Sequence, residues 1–248
     1  MLLNASPDIR EQIAATPDLY PRREERDSPI AAVALTNGDV DHVAGLLSLR
    51  ERQSFVLYAT AEILAALSEN RMFNVLDRDL VQRETIRLGR RFEMLPGLAV
   101  ELFAVSGKVP LWLEDTAADT HRDTGSTVGV TVTVGDRRVV YVPGCGGLNS
   151  SLRDHAEGAD LLLFDGTLWR DDEMIEAGLG SKTGRRMGHM PMSGDDGSIA
   201  ALADTPVERR VFVHINNTNP VLIEGSPERV QAEEAGWTIA HDGMEFSL

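Results

Sequence analysis

The sequence has a single cysteine, Cys145, in 248 residues, so it can form no internal disulfide and carries no paired-cysteine metal knuckle. That usage fits a reducing compartment and predicts a cytoplasmic protein. No run approaches the roughly 18 apolar residues of a membrane-spanning helix, so no membrane insertion is expected. The opening residues MLLNASPD have no basic segment, and their apolar run is too short for a signal peptide. Positive charge is scarce: 24 Lys and Arg stand against 39 Asp and Glu, a formal net charge of −15. Such a chain repels phosphate backbones, which argues against nucleic acid as a partner. There is no internal repeat and no GxSxG nucleophile turn, and Gly144–Gly147 is too irregular for a dinucleotide loop. No low-complexity linker divides the chain, and a hydrophobic fraction of 42% is ordinary for a globular protein. Residues 1–248 are therefore read as one domain, long enough to bury a core without cross-links.

Short β-branched runs bounded by Gly, Pro, Asp or Asn predict strands. They cover Ala31–Thr36, Ser54–Thr60, Val100–Val105, Ser126–Val134, Arg138–Val142, Asp160–Phe164, Arg210–Ile215 and Trp237–Ala240. Gly135–Arg138 reads as a hairpin turn. Helices are expected at Asp41–Leu49, Thr60–Leu76 and Ser226–Ala235, the last with Ser226 as N-cap, Pro227 in the first turn and Gly236 after its end. Helices and strands alternate at both ends of the chain while the middle is mostly strand, which predicts two β-rich layers covered by helices. MLL reads as the second half of a strand, either at a sheet edge or following an upstream segment. Gly107–Thr127 has little periodicity and reads equally as a loop over a site or as a disordered excursion.

Four places deliver polar groups from strand or loop ends. The first is Asn37-Gly38-Asp39-Val40-Asp41-His42, where two carboxylates and an imidazole could serve one cation; helix capping by the same aspartates is the plain alternative. The others are His214 in VHINNTNP, Asp165 in LLLFDGT, and His189 in MGHMP, held between Gly and Pro. Each alone is weak, but together they point to a metal site. Cys145 in PGCGG reads as a turn residue, and His155 and His241 as structural or solvated.

The segments LLNASPDIREQI, LTNGDVDHVAGLLSLRE, LLLFDGTLWRDDEM, MGHMPMSG and VHINNTNPVL, taken in order along the whole chain, resemble the pyrroloquinoline quinone (PQQ) biosynthesis protein B family. The resemblance implies a metallo-β-lactamase fold, an αββα sandwich of mixed α/β class. Where that superfamily's hydrolases carry HxHxDH, this chain has Asn37, Asp39, Asp41 and His42. An amide oxygen is a poor ligand for Zn²⁺, so the usual two-metal hydrolytic centre is not expected. Asp41, His42 and His214 instead make the two-histidine, one-carboxylate set of non-haem Fe(II) oxygenases. Asp165 matches the superfamily's bridging carboxylate, and His189 resembles a loop histidine that related hydrolases use as an acid, here expected to bind or protonate substrate; both are assigned to catalysis. His121 is a third-motif candidate in poorly matching surroundings. The family also carries a strand pair and a cysteine-rich zinc knuckle ahead of NASPD. The present sequence lacks that segment, so an exposed edge on the first sheet is expected.

The activity implied is iron-dependent hydroxylation, with molecular oxygen as co-substrate, of the tyrosine ring in a small Glu–Tyr-derived PQQ precursor. Zn(II) or Mn(II) would suit the same ligands. Arg185 and Arg186, beside His189, are the expected carboxylate-binding groups, and other proteins of the same pathway are expected partners. The competing readings are a carrier that helps move PQQ or its precursor toward the periplasm, and a zinc-dependent hydrolase, against which the altered HxHxDH positions speak.

Overall fold

A computed structural model describes residues 1–22, 27–108 and 122–248. Four parallel strands form the first sheet: β1 (Leu2–Leu3), β2 (Ala32–Ala34), β3 (Phe55–Ala59) and β4 (Val81–Thr85), in that order. The second holds β5 (Phe92–Leu95), β6 (Leu98–Gly107), β7 (Arg122–Val134), β8 (Arg137–Val142), β9 (Ala159–Asp165), β10 (Val207–Val213) and β11 (Trp237–Ile239), in the order β11-β10-β9-β8-β7-β6-β5. Its β5–β8 half is antiparallel and its β8–β11 half parallel. The helices are α1 (Ile9–Ala15), α2 (Val40–Val43), α3 (Ala61–Glu69), α4 (Ser150–Ala156), α5 (Glu173–Glu176), α6 (Ser198–Ala201) and α7 (Pro227–Glu234). The two sheets and their helices make the expected αββα sandwich.

Two apolar clusters hold the layers. One packs Val33, Leu35, Phe55 and Leu57 of the first sheet and Ile63 and Leu67 of α3 against Leu102 and Val130 of the second. The other covers the far face of the second sheet, where Leu152 of α4 and Ala232 of α7 meet Leu162, Phe164, Phe212 and Trp237. β9 reads ADLLLFD because it lies between two parallel neighbours with layers on both faces, and five of its seven residues are buried. β3 alternates buried and half-buried, as a strand with one deeper face must.

The expected strands are all present with shifted ends. The hairpin turn closes over Gly135-Asp136, with Gly135 at φ +60°. α7 has the expected cap: Ser226 Oγ accepts from the Arg229 amide at 3.1 Å. Three differences stand out. The helix read over Thr60–Leu76 stops at Glu69, because Asn70 turns extended and its side chain accepts from the Met72 amide, starting a separate 3-10 turn over Arg71–Val75. The helix read over Asp41–Leu49 is one α turn followed by 3-10 turns over Ala44–Leu49. β4 and β5 were not expected, since VQRET and FEML carry little of the β-branched alternation that marks a strand. Among the described residues β1 stands at one end of the first sheet's strand order. Of Gly107–Thr127, residues 109–121, including His121, lie outside the described residues. Among those described, no helix is long and apolar enough to cross a membrane.

The sheets are joined at one end. The Val128 amide donates to the Thr36 carbonyl at 2.8 Å, and Asn37 bridges Thr127. Parallel pairing of β9 and β10 sets Val213 opposite Asp165, so Asp165 and His214 leave the sheet together at that same end, the usual place for a site in such a sheet.

His155, at the other face, has a structural role. Its ring stacks on Phe103 at 4.0 Å and its Nδ1 lies 3.1 Å from Thr131 Oγ1. Burial pushes its pKa below the usual 6.5, against the pull of Glu101 and with help from Arg138. The unfolded chain therefore takes up a proton first as pH falls, and stability declines below the unfolded pKa. His155→Gln is expected to flatten the loss of stability between about pH 7 and 5, measured by urea unfolding. An unchanged slope would show that His155 makes no such contribution.

Candidate metal centre and its pocket

The site is built on the loop between β2 and α2. Asn37 Oδ1 accepts from the Asp39 amide at 2.9 Å, an Asx turn that opens the helix. The helix then presents Asp41 outward and His42 inward. The loop is braced from the start of the chain: Ala5 N–H donates to the His42 carbonyl at 2.7 Å, and Gly45 N–H to Ala5 O at 2.9 Å. Asn4, at φ +62°, clasps Thr36, accepting from its amide and donating to its hydroxyl, both at 2.8 Å. A Cβ at Gly45 would strike the Ser6 carbonyl, so only glycine lets these segments approach.

His214 follows β10 with φ +55°, a left-handed conformation that costs a non-glycine residue about 1–3 kcal/mol and clusters at functional sites. Thr167 holds it there: its hydroxyl oxygen lies 3.0 Å from the His214 carbonyl and 2.8 Å from His214 Nδ1. The ring's other nitrogen, Nε2, lies 2.7 Å from Asp41 Oδ2. The His42 and His214 rings stack at 5.0 Å, and His189 stacks on the other side of His214 at 5.3 Å. His42 is buried, with neither ring nitrogen hydrogen-bonded; Nδ1 sits 3.3 Å from Asp41 Oδ1 without hydrogen-bond alignment.

Asp165 is fully buried and satisfied by the chain. Oδ2 accepts from the Cys145 amide at 2.9 Å and meets His189 Nδ1 at 2.8 Å; Oδ1 accepts from the Thr167 amide at 3.1 Å and its hydroxyl at 2.6 Å. Burial raises its pKa, but the charges of His189 and His214 and these hydrogen bonds outweigh it, leaving the group below its ordinary value. Asp41 behaves alike: burial raises its pKa, but the hydrogen bond from His214 and the nearby charges of His42 and His214 outweigh it and hold the group well below the usual carboxylate range. For His214 burial lowers the pKa, while Asp41, Asp165 and Asp39 together raise it above the ordinary value.

Among the described residues, two groups bring one donor atom per residue within 4.8 Å of each other: Asp41, His42 and His214; and Asp165, His189 and His214. A buried imidazole with two idle nitrogens, beside a carboxylate and a second imidazole, suits a borderline divalent cation, so the first group fits a metal. Cys145 is buried, with Sγ 3.2 Å from the Gly147 carbonyl, and belongs to neither group.

Asp41, His189 and His214 open on a cavity of about 510 Å³, within the usual size of small-molecule sites. Thr167, His189 and His214 line it with apolar Val40, Met174 and Ile215.

Residues 1–215 match the beta-lactamase superfamily domain. A coenzyme PQQ synthesis protein B from Methylorubrum extorquens is 59% identical over 248 residues, all of this chain and 83% of that protein. One from Gluconacetobacter diazotrophicus is 50% identical, over 99% of this chain and 82% of its own length. The chain belongs to the coenzyme PQQ synthesis protein B family. The crystal structure of Zn²⁺-bound PqqB from Methylobacterium extorquens superposes with a TM-score of 0.97 at 59% identity, over 99% of this chain and 82% of that one. A diphosphatase of the PhnP family, at 18% identity and a TM-score of 0.66 over 98% of this chain, shares the fold.

Within this family member, the fold brings Asp41, His42 and His214 together across 173 positions, with Asp165 and His189 alongside. The cations on the cavity wall differ from those expected. Arg185 is turned to Asp196, with Nη2 2.6 Å from its carboxylate, and its amide donates to Asp171; neither Arg185 nor Arg186 lines the cavity. Lys108 and Lys182 do. Their signal in the sequence was scarcity: they are the only lysines among 24 basic residues.

Proposed function

We propose that this chain takes part in PQQ biosynthesis as an Fe(II)-dependent oxygenase, hydroxylating the tyrosine ring of the Glu–Tyr-derived precursor. The observation that carries the reading is the two-imidazole, one-carboxylate cluster of Asp41, His42 and His214, of which Asp41 and His214 line a cavity of small-molecule size. That ligand set leaves coordination positions open for oxygen and substrate. At the positions where hydrolases carry two further histidines stand Asn37, whose oxygen is taken by the Asp39 amide, and Asp39.

Asp41, His42 and His214 would hold the metal, which supplies activation of oxygen when bound. His189 turns Nδ1 to Asp165, which leaves Nε2 to accept a proton from the phenol hydroxyl. Thr167 fixes the ring of His214. Val40, Met174 and Ile215 supply apolar surface for an aromatic ring, and the methionine sulfur suits its edge. One oxygen atom enters the ring; the other leaves as water, at the expense of two electrons from an added reductant.

The Zn²⁺ in the Methylobacterium extorquens relative favours zinc as an alternative occupant. Divalent zinc generally outcompetes iron at nitrogen and oxygen ligands, so what a purified protein carries is a poor guide to the working metal. The test is therefore anaerobic reconstitution with Fe(II), Zn(II) or Mn(II), followed by oxygen uptake with precursor and reductant. The Fe(II) form alone is expected to consume oxygen, and Asp41→Ala and His42→Ala to abolish both uptake and iron retention. Hydrolysis by the zinc form would favour the hydrolase reading. Tight PQQ binding with no turnover by any metal form would favour the carrier.

A further inference from the structure

The chain uses arginine for 22 of its 24 basic residues and lysine for two. Both lysines, Lys108 and Lys182, line the cavity that holds His189, His214 and Asp41. They reach it from different elements. Lys108 follows the end of β6, and its carbonyl accepts from Thr127 Oγ1 at 3.0 Å. Its stem lies over Gly188, where an added Cβ would come 3.2 Å from Lys108 Cγ; Gly188 has φ +89° and sits directly before His189. A side chain there would both strain the backbone and push the lysine stem aside. Lys182 comes from the loop after α5, ahead of the 3-10 turn Arg185–Met187.

Two ammonium groups on the wall of one cavity, in a protein of net charge −15, offset locally a field that repels anions globally. Lysine suits this better than arginine where the partner's carboxylates must shift during binding and reaction: it is a compact charge with three rotatable donors on a flexible stem. The same cavity wall carries the apolar side chains of Met174 and Met187. Charge, thioether sulfur and ligand atoms in one cavity suit an aromatic ring that carries carboxylates.

We propose that Lys108 and Lys182 form a two-point clamp for the carboxylates of an aromatic polycarboxylate, laying its ring against Met174 and Met187 and facing it to the His–Asp cluster. The clamp rests on the reading of this cavity as the precursor site, but it makes a binding claim independent of iron and oxygen.

The probe is PQQ itself, an aromatic tricarboxylate, titrated into the purified full chain by fluorescence quenching. Lys108→Met and Lys182→Met keep the stem and remove the charge. Each is expected to weaken binding about tenfold and the double variant about a hundredfold, the usual loss for a charge-assisted hydrogen bond. Metal content and melting temperature should stay as in the parent. PQQ trimethyl ester should bind the parent weakly and ignore both substitutions. Because the chain has only two lysines, amine acylation read by mass spectrometry gives a second measure in the unmutated protein, with PQQ protecting both. Undiminished affinity in the double variant, equal binding of the ester, acylation unaffected by PQQ, or failure of the parent to bind PQQ would each overturn the clamp. None of these results bears on iron-dependent oxygen uptake, so the two readings fail separately.

Discussion

Replacing His214 by alanine is expected to strip the metal and end turnover together. Its Nε2 faces Asp41 Oδ2 at 2.7 Å and its ring stacks on His42 at 5.0 Å, so it supplies the second imidazole of the cluster. Without it one imidazole and one carboxylate remain, and affinity should fall by more than about 100-fold, beyond what loss of a supporting residue costs. Alanine also disfavours the left-handed backbone at φ +55°, so a second variant separates ligation from strain. Asparagine tolerates that conformation. His214→Asn should therefore melt close to the parent and still lose the metal. Asn37→Ala is the control: it removes the acceptor for the Asp39 amide, a cost of about 1 kcal/mol, yet should keep the metal. Metal analysis and oxygen uptake on all three decide it. Full metal content in His214→Asn would refute the assignment, and loss of metal in Asn37→Ala would bring that position back as a ligand.

Much of this arrangement was legible from residue order. β9 stands out as an apolar run ending in Asp165, because a strand buried on both faces cannot hide its composition, and β10 by the short run VFV next to His214. Asp41 and His42 stood out as polar residues at a strand-to-helix junction. Other parts were not legible because their cause is tertiary. Nothing local makes Asn4 the clasp of Thr36, or lets Ala5 and Gly45 brace His42; those bonds exist only once β1 pairs with β2. The arginines beside His189 looked right by proximity in sequence, but Arg185 is taken by Asp196, while Lys108 arrives from a distant strand end to lie over Gly188. The helix read through Asn70 failed because the capping power of one asparagine outweighed a run of good helix formers.

Asp165→Asn is expected to destabilise the fold more than any other single change at the site while leaving metal at Asp41, His42 and His214. The carboxylate is buried, and every bond it makes is one it accepts: from the Cys145 and Thr167 amides, the Thr167 hydroxyl and His189. An asparagine must turn an NH₂ toward one of the two fixed backbone donors, setting donor against donor with no water to relieve it. Breaking a buried ionic pair from one side costs about 3–5 kcal/mol. His189→Ala should cost less, since Asp165 keeps its three other donors. On this reading Asp165 is a positioning residue that acts through His189: Asp165→Asn should lower kcat as His189→Ala does while leaving KM near the parent's. Metal stoichiometry supplies the opposing outcome. The group Asp165, His189 and His214 also brings its donor atoms within 4.8 Å. If it bound an ion of its own, the parent would carry two metals per chain and Asp165→Asn one. One equivalent in both proteins is the expected result, because a carboxylate already holding four partners has no lone pair to spare for a cation.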